Sequence, residues 1–214
     1  MKINQNNNLN DYYTQNRSEM IEFVPKSAKF ILDVGCGAGI FAKQLKKNIN
    51  AQVWGIEMNE TAANCAKQIL DHVLIGNAVK IIQKLPDNYF DCVIMNDILE
   101  HLIDPYDFLL QVKSKLTTDG VVVCSIPNVR YLPNLINLFI KKQWQYEDQG
   151  ILDKTHLRFF TRKSIVSTFE DLGFEILKLK GINPIQSWKF KFLNFIFLGQ
   201  LADTKYMQFA VIAK

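Results

Sequence analysis

With 214 residues, 48% hydrophobic and 21% charged, the chain has the composition of one globular domain, which excludes a disordered chain. No apolar run approaches the ~18 residues of a membrane span. Met1 to Asn10 is Asn-rich with no apolar core, so no signal peptide is read there and a cytoplasmic protein is expected.

The net charge of +4 is unevenly divided: residues 1–107 hold 10 Lys and Arg against 13 Asp and Glu, and residues 108–214 hold 15 against 8. A basic second half suits an anionic substrate or surface, or is simply a solvated face. The basic residues are scattered, so nucleic acid is not indicated as a partner. Cys36, Cys65, Cys92 and Cys124 form no CxxC pair and read as reduced thiols.

In chain order, Phe30 to Val34 reads as a strand ending at Gly35. Ile40 to Lys47 has helical spacing, and Gln52 to Ile56 is a second strand. Glu60 to Leu70 is an Ala-rich helix, and His72 to Ile75 a short strand before Gly76 and Asn77. Phe90 to Met95 is a continuous apolar strand. A helix starts at Pro105, with Phe108, Leu109, Val112 and Leu116 on one face, and ends by Asp119-Gly120. Val121 to Ile126 is another buried strand. Thr161 caps a helix running to Leu172, and Gly173 stops it. Phe174 to Leu179 and Gln208 to Ala213 are the last two strands. Alternating strands and helices predict a parallel α/β sheet covered on both faces. The stretch from Phe174 to Ala213 reads as helix-free, so an antiparallel pair is expected at that edge. One domain over 1–214 is expected, with lid insertions at 128–160 and 183–206.

The strongest local signal is Ile31-Leu32-Asp33-Val34-Gly35-Cys36-Gly37-Ala38-Gly39. A buried strand enters a turn of three glycines, where a ligand can approach bare backbone. The spacing is GxGxG rather than the GxGxxG that aims a helix at pyrophosphate. Asp33 beside the turn would repel phosphate and suit an ammonium group. Glu57, at the end of the second strand, is placed to accept from ribose hydroxyls. Ribose, adenine and a cationic tail together describe S-adenosylmethionine.

With Gly76-Asn77-Ala78, Phe90 to Leu102 and Gly120 to Val129 added in this order, the chain resembles a class I S-adenosylmethionine-dependent methyltransferase. It is similar to small bacterial members of the ubiquinone-pathway O-methyltransferase-like group. The resemblance implies a Rossmann-like seven-stranded mixed sheet whose last strand is antiparallel. It also implies that Asp33, Gly35, Cys36 and Gly37 line the methionine part, Glu57 the ribose and Met58 the adenine face. Asn77 and Ala78 would border the adenine edge, and Asn96, by its backbone, the methionine part. Asn77 stands where many members carry Asp.

Methyl transfer needs donor and acceptor held in attack geometry, and a hydroxyl acceptor also needs a base or a metal. His101 is the first candidate base and His156 the second. If a helix begins at Asp97, then Asp97, Glu100 and His101 share one face. Asp97-Ile98-Leu99-Glu100-His101 resembles an ExxEH metal motif, with Asp in place of the first Glu; no metal ligand is assigned. Asp153-Lys154-Thr155-His156-Leu157-Arg158-Phe159-Phe160-Thr161 resembles a stretch in methyltransferases of glycan pathways, which favours a sugar or related hydroxyl on a small-molecule acceptor.

Tyr131 to Trp144 reads as an amphipathic helix with Lys141-Lys142 near its end. Residues 186–198 are aromatic, interleaved with Lys189 and Lys191. They are expected to pack as a lid or a dimer contact; contact with a membrane surface or a lipid-linked acceptor is the other reading. Tyr12, Tyr13 and Arg17 are placed on a helical stretch that could close over the cofactor, with Arg17 near its carboxylate. An NAD-dependent oxidoreductase and a non-catalytic cofactor-binding module are the alternatives.

Overall fold

A computed structural model describes Tyr13 and residues 16–214; Tyr12 lies outside them. Seven strands form one sheet: β1 (Phe30–Val34), β2 (Gln52–Glu57), β3 (His72–Ile75), β4 (Phe90–Asn96), β5 (Leu116–Pro127), β6 (Ile176–Pro184) and β7 (Tyr206–Ala213). Their order is β3-β2-β1-β4-β5-β7-β6. β1 pairs in parallel with β2 and β4, and β2 with β3, whereas β6 and β7 pair antiparallel. The expected mixed sheet with its antiparallel last strand is present.

The helices are α1 (Ile40–Asn48), α2 (Glu60–Ala66), α3 (Ala78–Ile82), α4 (Pro105–Lys115), α5 (Leu132–Phe139), α6 (Arg162–Asp171) and α7 (Trp188–Ile196). Thr161 caps α6 as expected, in a reciprocal box with Ser164. Asn59 caps α2 by accepting from the Ala62 N–H. Three expectations are corrected. The segment between β6 and β7 is not helix-free, because it holds α7. α2 stops at Ala66, where Gln68 and Ile69 tighten to bonds on Cys65 and Ala66. Asp119-Gly120 is not a helix stop but part of β5. A Cβ on Gly120 would meet the Phe90 carbonyl at 2.8 Å, so close backbone approach, not a turn, requires glycine.

The chain divides into two compact units. The first holds residues 1–96 and 107–123 with Lys214. Its core is the double-sided apolar strand set, with Ile31, Leu32, Val53, Cys92, Val93, Ile94 and Met95 fully buried. Phe41 and Leu45 of α1 and Phe108, Leu109 and Val112 of α4 are buried. The second holds 97–106 and 124–213. Its core includes Ile126, Ile165, Phe169, Phe174, Phe209 and Val211. Asn128 is buried and satisfied: its amide donates to the Asp203 and Tyr206 carbonyls and its oxygen accepts from the Arg130 N–H.

Candidate active site

In the first unit, Gly35, Gly37 and Gly39 all adopt positive φ, at 74°, 53° and 80°. The alternate spacing of the three glycines follows from this left-handed backbone. A Cβ on Gly37 would also meet the Tyr13 carbonyl at 2.6 Å. That carbonyl accepts from the Ala38 N–H, so Tyr13 closes over the turn. Arg17 pairs with Glu19 at 3.5 Å.

Glu57 ties the turn from the neighbouring strand. Its Oε2 accepts from the Gly37 N–H at 2.9 Å and its Oε1 from the Asn59 N–H at 2.7 Å. A carboxylate offers about four lone-pair sites, so capacity for hydroxyl donors remains. At the carboxyl ends of the adjacent strands β1 and β4, two buried acceptors have no hydrogen-bond donor: Asp33 Oδ2 and Asn96 Oδ1. Such atoms are costly to leave unmet. Both accept, so the group they fit is a donor, best a cationic one. Burial, and then Glu57, push the Asp33 carboxyl up to about 7.

A cationic ligand is favoured by ionised Asp33. Affinity for S-adenosylmethionine is therefore expected to rise with pH up to about 7 and then level. In Asp33→Asn, titration calorimetry should show weaker, pH-flat binding. The folded-state value lies above the ordinary 3.8, so Asp33 lowers stability increasingly as pH climbs from about 4 to 7. Asp33→Asn should accordingly melt higher than the parent at pH 8 and no higher at pH 4.

The other expected cofactor positions are placed as follows. Met58 is exposed, free to cover a flat ring. Asn77 caps α3 by accepting from the Val79 N–H at 3.0 Å, with Ala78 as the first helical residue. The Cys36 side chain is buried against Gly55, where a Cβ would meet its sulfur at 2.6 Å. Burial, followed by Asp33 and Glu57, pushes its thiol up, so Cys36 packs beneath the turn as an inert side chain.

In the second unit, the turn Leu99–His101 is a short 3-10 helix, and Asp97 before it has φ 53°. The expected shared face of Asp97, Glu100 and His101 does not form. Asp97 Oδ1 instead accepts from Ser125 Oγ at 2.9 Å and Gln208 Nε2 at 2.7 Å, and its own N–H donates to the Ser125 carbonyl. Asp104 accepts from the Tyr106 N–H at the start of α4. The Leu157 and Arg158 N–H groups donate to the Glu100 carbonyl at 2.8 and 3.0 Å. These bonds bring His156 beside His101, with ring centroids 4.7 Å apart.

The proton positions follow from the donors available. Thr155 Oγ1 lies 2.6 Å from Asp153 Oδ1, which only accepts, so the hydroxyl donates there. His101 Nδ1, 3.1 Å from the same Oγ1 and 3.4 Å from the Thr155 carbonyl, must then donate. Its Nε2 therefore carries the lone pair. Burial, and then His156, hold the His101 imidazole below its ordinary value, so it is neutral at pH 7. The His156 Nδ1 donates to the Ile151 carbonyl at 2.9 Å, leaving Nε2 toward Glu100 Oε1 at 4.0 Å. Glu100, His101 and His156 offer ligand atoms within 4.8 Å of one another. One carboxylate and two imidazoles with Nδ1 tethered is a donor set that fits a divalent transition ion.

A methyltransferase domain model matches residues 6–179. The chain is a class I S-adenosylmethionine-dependent methyltransferase by family. The mitochondrial ubiquinone biosynthesis O-methyltransferase of Schizosaccharomyces pombe is 33% identical over 172 residues, covering 76% of this chain and 62% of that protein. The ubiquinone biosynthesis O-methyltransferase of Rickettsia canadensis is 28% identical over 159 residues, 71% of this chain and 65% of that one. The chain thus spans less than two thirds of these relatives' length. A SAM-dependent methyltransferase from Archaeoglobus fulgidus superposes with a TM-score of 0.71 at 22% identity, over 99% of this chain and 100% of the other. The NAD-dependent alternative falls with this membership.

Two residues of the methyltransferase escaped sequence reading: Asp153 and Thr155. Asp-x-Thr is a turn signal, and the Asp153 carboxylate does accept from the Thr155 N–H at 2.7 Å. The signal marked the turn; only the fold reveals that His101 lies across it.

Proposed function

We propose that this methyltransferase moves the methyl group of S-adenosylmethionine to a hydroxyl of a small-molecule acceptor, a sugar or related metabolite. The observation that carries this reading is the Asp153–Thr155–His101 chain, which fixes the imidazole with its lone pair on Nε2. A base poised this way suits an acceptor that must lose a proton. The relatives' names, O-methyltransferases of ubiquinone biosynthesis, support a hydroxyl acceptor. The likeness of Asp153 to Thr161 to glycan-pathway enzymes supports the sugar.

Asp33 and Asn96 would hold the ammonium, Glu57 the ribose, and Met58 would cover the adenine. The bound donor supplies a methyl already activated on sulfonium. The role proposed for His101 Nε2 is to take the acceptor hydroxyl's proton, while the donor's sulfur would keep the electron pair of the carbon–sulfur bond. Turnover of methyl-labelled donor against a panel of sugar nucleotides and phenolic ring acceptors, with mass spectrometry of the product, tests the reading. O-methylation of a sugar is the expected result. Methyl on nitrogen, or none on any hydroxyl, would defeat it.

The three converging ligand atoms of Glu100, His101 and His156 favour a second reading. A divalent ion there would supply Lewis-acid lowering of the hydroxyl pKa. Dialysis against a chelator separates the two: the base alone predicts unchanged turnover, and the ion predicts its loss together with metal measured in the untreated protein.

A further inference from the structure

Among the described residues, α7 carries an uncovered aromatic face. Along α7, Trp188, Phe192, Phe195 and Ile196 fall within an arc of about 100° at ~100° per residue. They are 72%, 62%, 79% and 56% exposed, and Leu198 just beyond is 88% exposed. Lys189 and Lys191 flank this arc, one on each side. Phe190, on the opposite face, is buried and anchors the helix. Among the described residues nothing covers the aromatic face of α7.

Charge says what covers it. No Asp or Glu occurs from Ile176 to Ala202, whereas Lys178, Lys180, Lys189 and Lys191 do. A protein interface core is depleted in lysine. Lysines at both margins of an aromatic stripe suit an anionic interface, where the ammonium groups reach phosphates and the rings sink below them. The end of α5 repeats the composition: exposed Phe139 and Ile140 precede exposed Lys141 and Lys142. No helix among the described residues is long and apolar enough to cross a membrane. We infer that α7 lies in the surface of an anionic lipid bilayer, with Trp188, Phe192, Phe195 and Ile196 inserted and Lys189 and Lys191 at the headgroups.

Flotation of the full chain with vesicles tests this. Wild type should rise with phosphatidylcholine vesicles that contain phosphatidylglycerol, and far less with pure phosphatidylcholine. Lys189→Gln/Lys191→Gln should weaken binding about fivefold for each charge removed. Trp188→Ser/Phe192→Ser/Phe195→Ser should weaken it on the order of a hundredfold. These side chains are exposed, so circular dichroism melts should match wild type; should the triple variant misfold, the lysine pair still decides. Wild type remaining at the bottom with anionic vesicles overturns the inference. So does undiminished flotation of both variants. Sedimentation as a dimer that the triple variant dissociates would assign the face to a second copy and overturn it equally.

Discussion

Glu57→Ala is expected to weaken S-adenosylmethionine binding roughly a hundredfold or more and to lower the melting temperature in the same variant. Hydrogen bonds to an ionised group contribute about 1.5–3 kcal/mol each. Glu57 already makes two, to the Gly37 and Asn59 N–H groups, while almost fully buried. Alanine leaves both donors unmet and removes the side-chain tie between the glycine turn and β2, while the Gly35 and Cys36 N–H bonds to the Ile56 carbonyl remain. It also removes the ribose acceptor, and the loss of two such bonds to hydroxyls gives the hundredfold. A third consequence separates this account from simple loss of a contact. Glu57 is the second cause of the raised Asp33 carboxyl, after burial. Without it that carboxyl ionises more easily, so the residual affinity should reach its plateau at lower pH than in wild type. Calorimetry across pH and thermal melts of Glu57→Ala and Glu57→Gln measure all three. Glutamine keeps one acceptor and should fall between. An unchanged melting temperature would show that Glu57 does not brace the turn.

The glycine turn and its two acids were legible because their chemistry is local. Asp33, the three glycines and Glu57 sit at the ends of consecutive strands, so strand boundaries place them. The three positive φ values are the conformations that a GxGxG spacing demands. The histidine cluster was legible as residues but not as geometry. His101 and His156 were singled out separately; what joins them is a set of backbone bonds from Leu157 and Arg158 to Glu100, across more than fifty residues of chain. No periodicity encodes such a contact. The motif also misled: Asp97 reads as the first acid of a metal triplet at helical spacing. Its positive φ breaks the helix before it starts, and Ser125 and Gln208 take its carboxylate. Gln208 lies far along the chain on β7, so that bond was invisible from the motif. The 183–206 segment shows a third limit. Its aromatic content was plain, but whether the rings point in or out depends on which face α7 presents, and only Phe190 points in.

His101→Asn is expected to lower kcat by about 10²–10⁴ while the Kd for S-adenosylmethionine changes less than about twofold. The split matters, because His101 is proposed to take the acceptor's proton, whereas Asp33, Asn96 and Glu57 are proposed to hold the donor. The size of the loss follows from the proton it must take, since a hydroxyl with no base at hand attacks as the weak neutral nucleophile. A residue that only shaped the pocket would respond to volume. His101→Gly should then stay dead in added imidazole, whereas a true base should be partly rescued by it. Thr155→Val probes the relay without touching the imidazole. Valine keeps the shape and removes the oxygen that accepts from Nδ1, and Asp153 retains its bond from the residue 155 N–H. The ring then keeps only the longer contact of Nδ1 with the residue 155 carbonyl, at 3.4 Å, and kcat should fall by roughly tenfold with donor affinity intact. Thr155→Ser restores the hydroxyl and should recover most of the rate. Equal activity of valine and serine variants would mean that the Asp153–Thr155 pair merely stabilises its own turn, and the imidazole would then owe its orientation to packing against His156.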